Sequence, residues 1–129
     1  MTPEVSDYWR RAVQALRTAE SLVESDTDAS ASRAYYAAFY AISALFAFQQ
    51  QSFTKHTALE RAVHRDLVKP GHWPVEVGAA FSWLANLRYT GDYGGREHVL
   101  LDDAKTAVER AHLVLETVRR TAPEPLQER

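Results

Sequence analysis

Arg88 is the residue best placed to do chemistry, because it extends the apolar line Val77, Phe81 and Leu84 to the edge of a glycine-bearing segment, Thr90-Gly91-Asp92-Tyr93-Gly94-Gly95. A guanidinium at such a boundary needs a partner. One reading is structural: Arg88 pairs with Asp92 four residues on, or snorkels past the core edge. The other is functional: Arg88 grips a phosphate, backed by loop amides of Gly91, Gly94 and Gly95.

His56 is the second candidate. It precedes Thr57, which with Glu60 three residues later has the form of a capping box. An imidazole near the positive end of a helix dipole is held neutral and can accept a proton, as a general base does; the plainer reading is an exposed histidine beside a helix start. Lys55 beside it could contact an anion. His64, His72, His98 and His112 lack the close i, i+4 pairing and accompanying carboxylates of a zinc site. Asp26 with Asp28, and Asp102 with Asp103, are explained by capping and dipole effects, so no metal or other cofactor is expected.

Other chemistries are disfavoured by what the chain lacks. It contains no cysteine, which removes thiol catalysis and disulfides. Gly91-x-x-Gly94-Gly95 has neither the Lys-Ser/Thr of a Walker loop nor a preceding strand, and no Gly-x-Ser-x-Gly elbow occurs.

The element that must position these residues is the stretch from Ser32 to Phe46, whose only charge is Arg33. On a helix, Ala34, Ala37, Ala41 and Ala44 make a stripe of small residues, and Tyr35, Phe39, Ile42 and Phe46 one of bulky residues. A third line, Arg33, Tyr36, Tyr40 and Ser43, carries a guanidinium and hydroxyls that need partners. Such a helix must be covered on several sides, and if four other helices leave part of it bare, a homodimer follows.

Around it the pattern predicts a helix from Pro3 to Ser25, with Thr2 as N-cap and Val5, Trp9, Ala12, Leu16, Ala19 and Val23 facing inward. Asp26-Thr27-Asp28 reads as a polar turn. A third helix starts at Thr57 and stops before Lys69-Pro70-Gly71. A fourth runs from about Pro74 and is broken by Gly91, leaving Leu87 to Leu101 as the leading candidate for a functional loop. A fifth proceeds from Asp102 to Arg120. The expected fold is all-α, an up-and-down bundle of about five helices, with one domain over 1–121 and a mobile tail over 122–129 that has little to bury.

The totals agree with one globular domain of 129 residues. A formal charge of −2 offers no global attraction to nucleic acid, so any such binding needs a local patch. Twelve of the fifteen basic residues are arginine, which suits planar recognition of phosphate and equally suits a GC-rich genome. The apolar run ends at Gln49-Gln50-Gln51, too short to span a bilayer, and the N-terminus has no signal-peptide pattern, so the expected location is cytoplasmic, away from membranes.

Ser32-Arg33-Ala34-Tyr35-Tyr36-Ala37-Ala38-Phe39-Tyr40-Ala41 resembles the central helix of the HEPN superfamily, in particular its UPF0332-like prokaryotic branch of short proteins. Lys55-His56-Thr57 is similar to the segment before the third helix in that branch. Leu87-Arg88-Tyr89-Thr90-Gly91-Asp92-Tyr93 is similar to its Arg…Asp-Tyr segment. The resemblance implies a homodimer with a cleft at the interface and two functional classes. One is a metal-independent ribonuclease toxin paired with a small nucleotidyltransferase antitoxin. The other is a non-catalytic domain that binds nucleotides or a nucleotidyltransferase partner. In the ribonucleases an Arg is followed after four to six residues by a His; Arg88 fits the first position, but none of the six residues after it is histidine. The resemblance places Arg88 in the catalytic site; if the chain cleaves RNA, His56 is the base expected from its position before the third helix, with Tyr93 and Asp92 orienting Arg88. Lys55, Arg33, Tyr36, Tyr40 and Gly94 remain as ligand-binding candidates.

Overall fold

The computed structural model describes residues 1–126. Five α-helices are found among them: α1 (Pro3–Leu22), α2 (Thr27–Ala47), α3 (His56–Ala62), α4 (Val75–Tyr93) and α5 (Leu101–Thr121). No strand occurs among the described residues. The helices form an up-and-down bundle in which α2 packs most extensively on α1 and also meets α5 and α4.

Local chemistry sets the ends of these helices. The Thr2 hydroxyl accepts from the Val5 amide, and Pro3, which has no amide hydrogen to satisfy, opens α1. The Asp26 carboxylate accepts from the Ala29 amide at 3.0 Å and starts α2, so Thr27 and Asp28 lie inside the helix and not in a turn. The Asp28 carboxylate instead reaches across the fold, accepting from the Val99 amide at 2.8 Å and bonding His98 Nδ1 at 2.6 Å. It thereby fastens the connection between α4 and α5 to the first turn of α2.

The alanine stripe does what small residues allow, a close approach of helices. Ala34, Ala37, Ala41 and Ala44 are fully buried, and nearby Ser30 donates its hydroxyl to the Ala19 carbonyl at 2.7 Å across the α1–α2 contact. Tyr35, Phe39, Ile42 and Phe46 are also buried, with the Tyr35 ring stacked on Phe81 of α4 at 5.6 Å. Most of α2 is thus buried within the chain, with Arg33, Tyr36 and Tyr40 partly buried. Exposed apolar side chains include Val75, Tyr89 and Tyr93 of α4, at 71%, 63% and 65%, and Leu100 just before α5, at 69%.

Three further features differ from the sequence expectation. The third helix stops before Lys69 as expected, but its second half, Val63–Val68, is a π-helical turn in which the Lys69 amide donates to the His64 carbonyl at 2.9 Å. The tail has something to bury after all: Leu126 is 5% exposed and belongs to the core cluster, while residues 127–129 of the expected tail lie outside the described residues.

The third difference is Gly91, which does not break α4. It sits where α4 crosses the start of α2, and a Cβ there would meet the Asp28 carbonyl oxygen at 2.8 Å. Glycine serves here as the residue that lets two backbones touch, so the helix runs on to Tyr93. In an unobstructed helix, Gly→Ala gains about 1 kcal/mol of propensity. At Gly91 the added methyl meets backbone that cannot swing aside, and overpacking of this kind costs about 1–3 kcal/mol. Gly91→Ala is therefore expected to lower the melting temperature by several degrees, measured by circular dichroism, where propensity alone would raise it.

Candidate functional site

The site is built where α2, α3 and α4 meet. Tyr35 lies on the inner face of α2 and its hydroxyl bonds His56 Nδ1, at the first turn of α3, at 2.8 Å. The imidazole is stacked on Phe39 at 4.7 Å and on Tyr35 at 5.5 Å, and meets Tyr36 edge-on at 5.6 Å. One face of His56 is thus walled by three aromatic rings of α2. This wall is the reason for the spacing Tyr35, Tyr36, Phe39 on one side of the helix.

Arg88 approaches the same rings from α4. Its guanidinium carbon is 5.0 Å from the Tyr35 ring centroid and 5.9 Å from that of Tyr36, within cation–π range. Arg88 Nη1 donates to Asp92 Oδ2 at 3.1 Å, one helical turn on, with the Arg88 side chain only 16% exposed. Arg88 Nε is buried and has no hydrogen-bond partner. The ion pair expected between Arg88 and Asp92 forms, yet it leaves part of the guanidinium fork unused.

These neighbours set the protonation state of His56. Burial lowers its pKa from the ordinary value, and the positive charge of Arg88 lowers it further. Burial also pushes the Tyr35 phenol well up, so Tyr35 stays protonated. At neutral pH the pair is therefore a neutral imidazole held by a neutral phenol.

The remaining sequence candidates are distributed around this centre. Lys55 is exposed and forms the N-cap of α3 without a side-chain cap bond. The Thr57–Glu60 capping box does not form: Glu60 Oε2 instead accepts from the Ser82 hydroxyl at 2.6 Å, and Ser82 Oγ also bonds His64 Nε2 at 2.9 Å. Tyr93 is exposed and its ring packs on Tyr89 at 5.1 Å. Tyr36 carries Arg33 on its ring at 4.9 Å and has Tyr40 at 6.0 Å.

The expected cradle of loop amides is not present. Gly91 lies inside α4, and the Gly94 amide donates to the Thr90 carbonyl at 2.8 Å, so neither is free for an anion. Gly95, with φ of +63°, turns the chain away. Any anion at this site is held by side chains. Among the described residues no group of three or more histidine or carboxylate side chains converges on a point that could hold a metal, and no helix is long and apolar enough to cross a membrane.

Residues 5–121, carrying the whole of this arrangement, match the HEPN domain family. The chain belongs to it. A UPF0332 protein of Thermotoga maritima is 33% identical over 119 residues, 91% of this chain and 90% of the relative. A second, from Gloeobacter violaceus, is 34% identical over 113 residues, 86% and 90% of the two chains. A Methanocaldococcus jannaschii protein whose name classes it as a candidate toxin is 24% identical over 118 residues, 91% and 80% of the two chains.

Within this HEPN domain, Tyr35 is the member that sequence reasoning did not single out, since its period assigned it to the core stripe. It is in the core, 1% exposed, and only its hydroxyl reaches the site. A buried tyrosine needs a partner for its hydroxyl, and the nearest polar segment, Lys55-His56-Thr57, was the available signal.

The electrostatic link between Arg88 and His56 gives a direct test. Arg88→Gln removes the charge that disfavours imidazolium, so the His56 pKa is expected to move up toward its ordinary value near 6.5. Histidine Cε1–H NMR titration would read this, with His98, bonded to Asp28 elsewhere, unchanged as the internal control.

Proposed function

We propose that this HEPN protein binds RNA and cleaves it without a metal, acting as a cytoplasmic toxin of a toxin–antitoxin pair, with Arg88 and His56 as its catalytic residues. The observation that carries the reading is the meeting of a partly unsatisfied guanidinium with a neutral imidazole held by Tyr35. A buried donor without a partner costs about 1–3 kcal/mol, more when charged. A phosphate oxygen beside Arg88 Nε would remove that cost. The candidate-toxin name of the archaeal relative supports the same direction.

In the proposed step the 2′-hydroxyl of the RNA attacks the adjacent phosphorus. The 2′-oxygen–phosphorus bond forms, the bond from phosphorus to the 5′-oxygen breaks, and a 2′,3′-cyclic phosphate remains. In the tautomer that donates Nδ1–H to the Tyr35 oxygen, Nε2 of His56 has the free lone pair that takes the 2′ proton; the departing 5′-oxygen is protonated from solvent. Arg88 binds the non-bridging phosphate oxygens and is steadied by Asp92. Tyr93, one position past Asp92, and Lys55, next to His56 in the chain, are the further side chains proposed to assist this centre.

The uncovered apolar face of α4 supports a homodimer formed through Val75, Tyr89 and Tyr93, which would place the two Arg88 side chains beside a shared cleft. A second reading is a non-catalytic HEPN domain that binds a nucleotide or docks on a small nucleotidyltransferase. It is favoured by the lack of a histidine within six residues after Arg88.

Cleavage of a fluorescent single-stranded RNA in excess EDTA separates the two readings. Arg88→Ala and His56→Ala are each expected to reduce the rate about 10²- to 10⁴-fold. Because the His56 pKa is lowered, the acid limb of kcat/KM should fall below pH 6.5, the ordinary histidine value. Equal degradation by wild type and both variants would eliminate the ribonuclease reading.

A further inference from the structure

Tyr36 links the catalytic centre to a second cationic hollow. Its ring lies 5.9 Å from the guanidinium carbon of Arg88 on one side and 4.9 Å from that of Arg33 on the other. Tyr40, one turn along α2, is 6.0 Å from Tyr36 and has the guanidinium carbon of Arg11 from α1 at 6.0 Å. Arginines and tyrosines therefore alternate from Arg88 through Tyr36 and Arg33 to Tyr40 and Arg11. Among the described residues Arg33 makes no hydrogen bond or ion pair; its guanidinium rests on the Tyr36 ring.

The hollows on either side of Arg33 differ in sign. Toward the start of α2, a cleft of about 670 Å³ is lined by Asp26, Asp28 and Asp92 and repels phosphate. Toward α1, a hollow of about 280 Å³ is lined by Arg11, Gln14, Thr18, Arg33 and Tyr40, with no carboxylate on its wall. Asp7 does bond Arg11, at 3.1 Å, but both side chains are more than half exposed, and an ion pair of that kind yields readily to a competing anion.

We propose that the hollow between α1 and α2 is a second subsite for single-stranded RNA, in which Arg33 and Arg11 hold a backbone phosphate and Tyr40 offers a ring to the adjoining base. The proposal rests on the RNA reading of Arg88 and adds a direction: the strand leaves the catalytic centre over Tyr36, toward α1 and away from the aspartate-lined cleft. A charged groove with interleaved aromatic rings is the general solution for binding single strands without reading sequence. It also explains how a protein of net negative charge can hold a polyanion, since Arg88, Arg33 and Arg11 lie along one path.

The test uses oligouridylates with 2′-O-methyl riboses, which cannot be cleaved by 2′ attack. Octamer binding is followed by fluorescence anisotropy over a salt series, and dinucleotide binding by NMR shifts of His56. Arg33→Ala should weaken the octamer about fivefold or more and flatten its salt slope by about 0.7, the value for one phosphate contact on a single strand, with dinucleotide binding unchanged. Arg33→Lys should restore the slope. Tyr40→Leu should weaken the octamer while leaving the slope alone. An unchanged circular-dichroism melt verifies that the variants are folded. Wild-type affinity and slope in Arg33→Ala, with binding still lost in Arg88→Ala, would overturn the subsite and spare the RNA reading. Failure of the wild type to bind either oligonucleotide would overturn both.

Discussion

The placement of the Arg88 guanidinium over the rings of Tyr35 and Tyr36 is the interaction on which the rest of the site depends. A charge this far out of water is tolerated only where aromatic faces and a carboxylate replace its hydration. Tyr35 and Tyr36 supply the faces, and Asp92 supplies the carboxylate. The same charge then acts on its surroundings, opposing protonation of His56. One cation thus adds to the burial that already disfavours imidazolium at His56.

That cation is held in place by backbone packing one turn further on. Arg88 and Asp92 can meet only if α4 remains helical between them, since i and i+4 side chains share a face only on a continuous helix. Gly91 sits inside this turn and lets it press against the Asp28 carbonyl of α2. Asp28 in turn clasps His98 and the Val99 amide and holds the following connection close. The ion pair is therefore gained at the expense of the amide cradle: the helical backbone that aligns Asp92 has already spent the Gly91 and Gly94 amides on its own hydrogen bonds.

The helices were legible because their periodicity is strong, and because Thr2, Pro3 and the flanking charges of α5 mark ends that the structure keeps. Gly91 was misleading because a glycine that ends a helix and one that admits a neighbour look alike in sequence; what decides is the distance to α2, a tertiary fact. Glu60 failed in the same way. The helix starts earlier than a Thr57 cap requires, with Lys55 as its N-cap, and the Glu60 carboxylate instead accepts from the Ser82 hydroxyl of α4. Of the candidate site, Arg88 was legible from its position at the end of an apolar line, and the rings that receive it were legible as a stripe. The Tyr35 hydroxyl was not, because a core residue that contributes only its last atom to a site has the sequence signature of packing.

The neutrality of His56 illustrates how a sound expectation can have a different cause. The sequence argument attributes it to the dipole of the helix that follows. In the structure α3 has seven residues in α conformation before it becomes a π turn, and its first turn has no side-chain cap. What neutralises the imidazole is burial against the α2 rings, reinforced by a guanidinium from α4. The distinction matters for mechanism, since a dipole is fixed by backbone whereas a guanidinium can be engaged by a ligand. In the proposed function, a phosphate bound to Arg88 would offset the charge that adds to burial in lowering the His56 pKa, so the imidazole would become a better proton acceptor with substrate bound. On that reading the base would be tuned in part by the group that binds the substrate, which a helix end could not do.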